Sequence, residues 1–280
     1  MAGRLAADIE RSTARGEKDP VQAPAQPDQA TAERLRALGY VGTFAPVTAE
    51  SRKENPLDRV AEYREYRERF TRALALLEQK RPGPAAAILQ RLVKTNVRAF
   101  EAHLYLGNAY AAQGKSDAAL GEYDLAAILN PMVASPHFEA AKVLSERGDH
   151  RAAIERCRQG LSQEPRSFYG QYTLGVVYQK ARQWPQALET FSRAVELNDR
   201  DPRAHANLAA AAMRLGDLDR ASVHFARMIE LNHQVAPAHF NLGVIAASKG
   251  NQAEAVRRYT LALSVDPTFK PARDALKRLR

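Results

Sequence analysis

Four histidines recur along the chain at intervals of 34 or 68 residues: His103, His137, His205 and His239. Imidazole nitrogens bind zinc at about 2 Å, so a regular row of histidines raises the question of a metal site. Equivalent positions on stacked helical units, however, lie on the order of 10 Å apart or more. One ion cannot bridge that distance, and we interpret the histidines as packing residues. A single cysteine, Cys157, excludes an internal disulfide and a cysteine-based zinc site.

No pattern typical of an enzyme active site is present. The sequence lacks a phosphate-binding G-x-x-x-x-G-K-[ST] loop, a G-x-S-x-G nucleophile turn and an H-E-x-x-H zinc helix. Its carboxylates are spread along the chain, as expected for solvated helix surfaces. We therefore expect no catalytic residue, no metal and no cofactor.

The elements that position these residues follow a repeat of 34 residues. Units begin at Tyr66, Phe100, Ala134, Phe168, Pro202 and Ala236, without insertions between them. Position 20 of every unit is alanine, position 8 is mostly glycine or alanine, and position 24 is usually Tyr or Phe. Apolar residues recur at the 3–4 spacing of amphipathic helices. The pattern predicts two antiparallel helices per unit, held close by small residues and filled by one large ring.

Glycine at position 15 predicts a left-handed turn at the end of each first helix, and proline at position 32 ends the second helix in three units. The pattern L-G-x-x-Y, A-x-x-x-F, A, P at this period resembles the tetratricopeptide repeat (TPR) family over residues 66–280. The resemblance implies an all-α, right-handed superhelical solenoid of about six helix-turn-helix repeats plus a capping helix at 270–280. We place the array at 58–280, and a largely disordered leader with short helical pieces at 1–57.

TPR arrays bind extended peptides in a concave groove, and the resemblance implies that positions 2, 5, 6, 9 and 13 lie on or beside that groove. Asparagines at position 6 of two consecutive units can donate to and accept from a peptide backbone. Lys142, Lys180, Arg203 and Arg214 would make the groove basic. The complete set of candidate groove residues is Asn108, Phe138, Lys142, Tyr169, Tyr172, Lys180, Arg203, Asn207, Arg214, Phe240 and Asn241.

Charge is unevenly distributed along the chain. Residues 66–280 carry 31 Lys+Arg and 21 Asp+Glu, a net charge of +10, whereas residues 1–65 have a net charge of −1. A basic body favours acidic partners, so we expect an acidic partner protein or peptide. Nucleic-acid binding would rest on charge alone and is not expected. No apolar run is long enough for a membrane span, and the sequence gives no indication of oligomeric state.

The leader carries a second resemblance. The stretches "RLAADIERSTARG" at 4–16, "ERLRALGYVG" at 33–42 and "ENPLDRVAEYREY" at 54–66 are similar to the segment that joins a sulfatase-like catalytic domain to a C-terminal TPR array in bacterial proteins. The nucleophile motif of those enzymes, C-x-P-x-R, is absent. The alternative to a free-standing interaction scaffold is therefore an accessory module or truncated tail of a sulfatase-like hydrolase. If Met1 is the true start, the absence of a signal peptide predicts a cytoplasmic protein.

Overall fold

The computed structural model describes residues 56–96 and 99–279, with side chains from residue 62 onward. All regular elements in these ranges are α-helices, and the packing described below lies within the compact unit Arg64–Arg280. The helices are α1 (Pro56–Glu78), α2 (Pro82–Thr95), α3 (Phe100–Ala112), α4 (Ser116–Leu129), α5 (Ser135–Glu146), α6 (His150–Gln163), α7 (Phe168–Lys180), α8 (Trp184–Leu197), α9 (Pro202–Arg214), α10 (Leu218–Glu230), α11 (Val235–Ser248), α12 (Gln252–Val265) and α13 (Lys270–Leu279).

The two helices of a unit approach closely because small residues line their interface. All six position-20 alanines have no exposed surface. A Cβ added to Gly107 would lie 2.5 Å from the Tyr123 ring, and one added to Gly175 would lie 2.6 Å from the Phe191 ring. Gly243 has the same relationship to the ring at position 24 of its unit. The predicted pairing of a small residue with a large ring is confirmed.

A left-handed residue ends the first helix of a unit at position 15. Gly114, Gly148, Gly216 and Gly250 have φ between 74° and 85°, as the glycine column predicts. In the fourth unit the same position is Arg182, which has φ 57°. A side chain in this region of φ is strained, so the turn geometry of the repeat holds even where the residue disfavours it.

The helices form two layers in the central units. The first helices contact one another along the series α3, α5, α7 and α9, and each second helix contacts the first helices on either side of it. The first helices therefore form the inner layer and the second helices the outer layer. The predicted all-α solenoid is confirmed. At its C-terminal end α13 packs on α12 and buries Ala272, while Leu276 and Leu279 are partly covered.

Membrane-spanning helices are not found in the described ranges, where no helix combines sufficient length with sufficient apolar character.

Candidate peptide-binding surface

We use "inner face" for the surface formed by the solvent-facing side chains of the inner-layer helices α3, α5, α7, α9 and α11. Most of the predicted groove residues lie on these helices. At its centre, the amide nitrogen Nδ2 of Asn207 on α9 donates to the hydroxyl of Tyr172 on α7 at 3.1 Å. The guanidinium carbon of Arg203 lies 5.4 Å from the centre of the Tyr172 ring. Adjacent first helices are thus linked by a hydrogen bond and a cation–π contact.

A second cluster joins α5 to α7. The hydroxyl of Tyr169 donates to Oε1 of Glu139 at 2.5 Å, and Nζ of Lys142 donates to the other oxygen of Glu139 at 2.8 Å. Lys142 also donates to the Tyr169 hydroxyl at 3.2 Å. Burial alone would lower the pKa of Lys142, but the nearby Glu139 carboxylate and the hydrogen bonds raise it above its ordinary value. Burial, with help from Glu139, raises the pKa of Tyr169 to about 12.

Two of the four predicted groove cations are already paired with carboxylates. Lys142 pairs with Glu139, and Arg203 makes a two-pronged contact to Asp201, with 2.7 Å from Nη2 to Oδ2. The hydrogen bond from Arg203 is the largest cause of the lowered pKa of Asp201. These pairs reduce the positive charge that composition alone predicts for this face.

The other two cations occupy the last turns of α7 and α9. Lys180 is exposed, and no ion pair to it is found within the described residues. The guanidinium of Arg214 lies over the ring of Trp184, with 5.6 Å between its central carbon and the ring centre. A cation on an aromatic face keeps its N–H donors available at the edge, so Lys180 and Arg214 can still bind a carboxylate.

The asparagines differ in how much of their hydrogen-bonding capacity remains. Asn108 accepts from the buried hydroxyl of Tyr123 at 2.9 Å, so its carbonyl is occupied. Asn207 uses its nitrogen on Tyr172 and keeps its carbonyl. Asn241, one repeat further, is half-buried and has no hydrogen bond from its side chain among the described residues. Of these three asparagines, Asn207 and Asn241, in the C-terminal half of the inner face, keep a carbonyl that accepts no hydrogen bond among the described residues.

Phe138 is a correction to the predicted groove. Its ring is 1% exposed and offers no surface to a ligand. The ring is buried because two glycines on neighbouring helices, Gly160 on α6 and Gly170 on α7, face it. A Cβ on either glycine would lie within 2.5 Å of the ring. The ring enters the space that the two missing side chains leave.

Phe240 is only partly available. Its ring packs 5.6 Å from Tyr259 and 5.7 Å, edge-on, from Phe269, measured between ring centres. It lines a cavity of about 400 Å³ that α13 closes from one side through Ala275 and Leu279. Phe240 therefore belongs to the joint between the last unit and its capping helix.

Residues outside the predicted set complete the inner face. Glu139 was missed although it occupies position 6, the column of Asn207 and Asn241. Its place three residues before Lys142 was a signal for an ion pair on one helix face. Trp184, the first residue of α8, supports Arg214 with the face of its ring.

Comparison with solved structures identifies the fold. The crystal structure of YrrB, described as a TPR protein with an unusual peptide-binding site, superposes with a TM-score of 0.58 at 26% identity and covers 68% of this chain and 97% of its own. Pseudomonas aeruginosa PilF gives a TM-score of 0.64 at 16% identity, covering 76% and 97%. PilW, a type IV pilus biogenesis factor, gives 0.64 at 18% identity, covering 75% and 98%. At these identities, the similarity to PilF and PilW shows a shared fold and no more.

Comparison with family models identifies the repeat. Three models described as tetratricopeptide repeat match residues 70–134, residues 144–212 and 181–246, and residues 236–269. They give no support to the sulfatase-junction resemblance, whose stretches at 4–16 and 33–42 lie outside the described residues. The comparison with curated proteins found no match. The matched repeats and the two-layered helix pairs together make this chain a member of the tetratricopeptide repeat family.

Proposed function

We propose that the protein is a non-catalytic scaffold that binds an extended peptide segment of a partner protein along its inner face. The observation that carries the proposal is the unequal use of the position-6 amides. Asn207 keeps its carbonyl, and Asn241 keeps its whole amide, at the same position of consecutive repeats. A peptide backbone presents one donor and one acceptor per residue, which these two side chains complement.

Aromatic and cationic groups define which peptide fits. Tyr172 and Tyr169 present partly exposed rings that contact apolar or aromatic side chains. Lys180 and Arg214 occupy the same repeat position on adjacent helices, and neither is paired with a carboxylate within the described residues. We therefore expect the peptide to combine an apolar residue near Tyr172 with an acidic residue between Lys180 and Arg214. YrrB, described as a TPR protein with an unusual peptide-binding site, is a precedent for peptide binding on this fold.

The test is a selection from a displayed random-peptide library, followed by dissociation constants for the enriched sequences. The double variant Asn207→Ala, Asn241→Ala is expected to weaken binding at least about tenfold, since two hydrogen bonds at about 1 kcal/mol each are lost. A matched control, Glu155→Ala with Glu196→Ala, changes two exposed residues on outer helices α6 and α8. If both double variants and the unaltered protein bind the peptide with equal affinity, the inner face is not the peptide-binding surface.

A further inference from the structure

The outer layer contains a cavity that the peptide proposal does not use. It has a volume of about 430 Å³ and lies between α6, α7 and α8, within the size range of small-ligand sites, about 300–1,000 Å³. We call it the outer cavity. Gln171 and Tyr178 of α7 line it together with Thr190 of α8.

Two other units carry a side-chain pair at the corresponding place. In the second unit, His103 contacts Glu122 on the following helix at 2.7 Å from Nδ1 to Oε2. In the fifth unit, His205 and His224 take the same places, with 2.9 Å between their Nδ1 atoms. In these two units, position 4 of the first helix thus meets position 23 of the second helix.

The fourth unit has no such pair. Its two residues are Gln171 and Thr190, and the Thr190 hydroxyl donates to the backbone oxygen of Gln186 on its own helix at 2.6 Å. The short Thr190 leaves the space that a longer residue occupies in other units. Gln171 is only 7% exposed, and its amide oxygen has no hydrogen-bond partner among the described residues. A buried acceptor without a hydrogen bond destabilises the folded protein. A ligand that donates a hydrogen bond to it removes this cost and is stabilised in return.

The charged residues of the outer cavity favour a singly charged anion. Arg193 pairs with Glu189 at 2.5 Å, and these two charges cancel. Arg158 on α6 is exposed, with no carboxylate partner within the described part of the chain. The lining therefore carries one uncompensated positive charge, which matches a carboxylate better than a doubly charged phosphate. Leu161, Pro165 and Leu174 supply the apolar wall of the outer cavity.

We propose that the outer cavity binds a carboxylate that lies beside an N–H donor and an apolar side chain, the chemistry of the C-terminal residue of a peptide or of an N-acylated amino acid. Arg158 pairs with the carboxylate, Gln171 accepts from the N–H, and the apolar wall contacts the side chain. This site is independent of the inner face, so either can fail without the other.

Calorimetric titration of the full chain tests the proposal with N-acetyl-leucine and N-acetyl-leucinamide as probes. The free acid is expected to bind saturably, and the amide, which has no negative charge, about tenfold more weakly or worse. A peptide of six residues ending in leucine distinguishes the sources. Tighter binding than that of N-acetyl-leucine assigns the site to a peptide terminus, and equal or weaker binding assigns it to a small acylated amino acid. Absence of saturable binding by both free acids, or equal binding of acid and amide, overturns the proposal.

Variants link the binding to the outer cavity. Arg158→Gln is expected to lower the affinity for N-acetyl-leucine about tenfold, whereas Arg151→Gln, an exposed change on the same helix, leaves it unaltered. The double variant Gln171→His, Thr190→Glu rebuilds the pair of His103 and Glu122 and fills the site. It is expected to abolish binding while the thermal unfolding curve remains cooperative. Unchanged affinity in a folded double variant contradicts the proposal.

Discussion

The side-chain nitrogen of Asn207 and the hydroxyl of Tyr172 are joined by a 3.1 Å hydrogen bond that crosses from the fifth repeat to the fourth. This contact directs the remaining carbonyl of Asn207 away from α7. We therefore treat Tyr172 as a residue that positions Asn207 as well as one that contacts the peptide through its ring.

Tyr172→Phe tests the positioning role. The change removes the hydroxyl and keeps the ring, so apolar contact with a peptide is retained. We expect the affinity for a selected peptide to fall about three- to tenfold, because one hydrogen bond that orients Asn207 is lost. Adding Asn207→Ala to Tyr172→Phe should then cost less than it costs alone, which a double-mutant cycle of dissociation constants measures. Additive effects would show that the two residues act independently.

Charge on the inner face should act through Lys180 and Arg214. Replacing both by glutamine is expected to weaken binding of an acidic peptide about tenfold and to reduce its salt dependence. The matched pair Lys142→Gln with Arg203→Gln removes cations that already contact Glu139 and Asp201. We expect that pair to change affinity less than about threefold. Titrations at two salt concentrations measure both effects, and a larger loss in the second pair would contradict the assignment.

Close helix approach predicts the cost of a methyl group at position 8. Gly175→Ala places a Cβ about 2.6 Å from the Phe191 ring, which is closer than atoms can pack. We expect the free energy of unfolding to fall by about 1–3 kcal/mol. Gly121→Ala is the control, because Gly121 lies inside α4 with nothing within 4 Å of the new Cβ. That change should be neutral or stabilise by up to about 1 kcal/mol, as measured by urea unfolding.

The left-handed turn of the fourth unit predicts a stabilising change. Arg182 has φ 57° where four other units have glycine and the first unit has Lys80, also at φ 57°. Arg182→Gly should raise the unfolding free energy by about 0.5–1 kcal/mol, because relief of backbone strain outweighs the greater entropy of the unfolded glycine. Gly114→Ala makes the opposite change in the second unit, where the new methyl meets nothing within 4 Å. It should destabilise by about 1 kcal/mol, and a loss of stability in Arg182→Gly would refute the explanation.

Acid should destabilise the array through a histidine pair. Nε2 of His205 donates to the backbone oxygen of Asp199 at 2.8 Å, so its Nδ1 accepts from Nδ1 of His224 at 2.9 Å. Burial, then the nearby His205 and Arg220, lowers the pKa of His224 to about 4 from its ordinary 6.5. Between these values the unfolded chain binds the proton more readily. The contribution of His224 to the free energy of unfolding should therefore be fully present above about pH 6.5. It should be lost progressively as the pH falls toward 4.

The variant His224→Gln tests this linkage, since glutamine can still donate to His205 but does not titrate. Its melting temperature should change less between pH 6.5 and 4.5 than that of the unaltered protein. An equal change in both proteins would assign the acid sensitivity to other groups.

Sequence periodicity predicted the helix pairs because a 34-residue repeat without insertions restricts each position to one environment. It failed for Phe138, whose burial depends on Gly160 and Gly170 in other columns of the repeat. It also overestimated the positive charge of the inner face. Counting residue types along a column reveals Lys142 and Arg203, whereas their pairing with Glu139 and Asp201 depends on rotamers and on neighbours along the same helix turn.

The location of a bound peptide shows whether the inner face is the binding surface. A peptide selected against the full chain and carrying benzophenone at one position can be photo-crosslinked, and the crosslinked residues can be identified by mass spectrometry. We expect crosslinks on α7, α9 and α11 and their loss in the Asn207→Ala, Asn241→Ala variant. Crosslinks confined to the outer helices α6, α8 and α10, or unchanged crosslinks in that variant, would contradict this expectation.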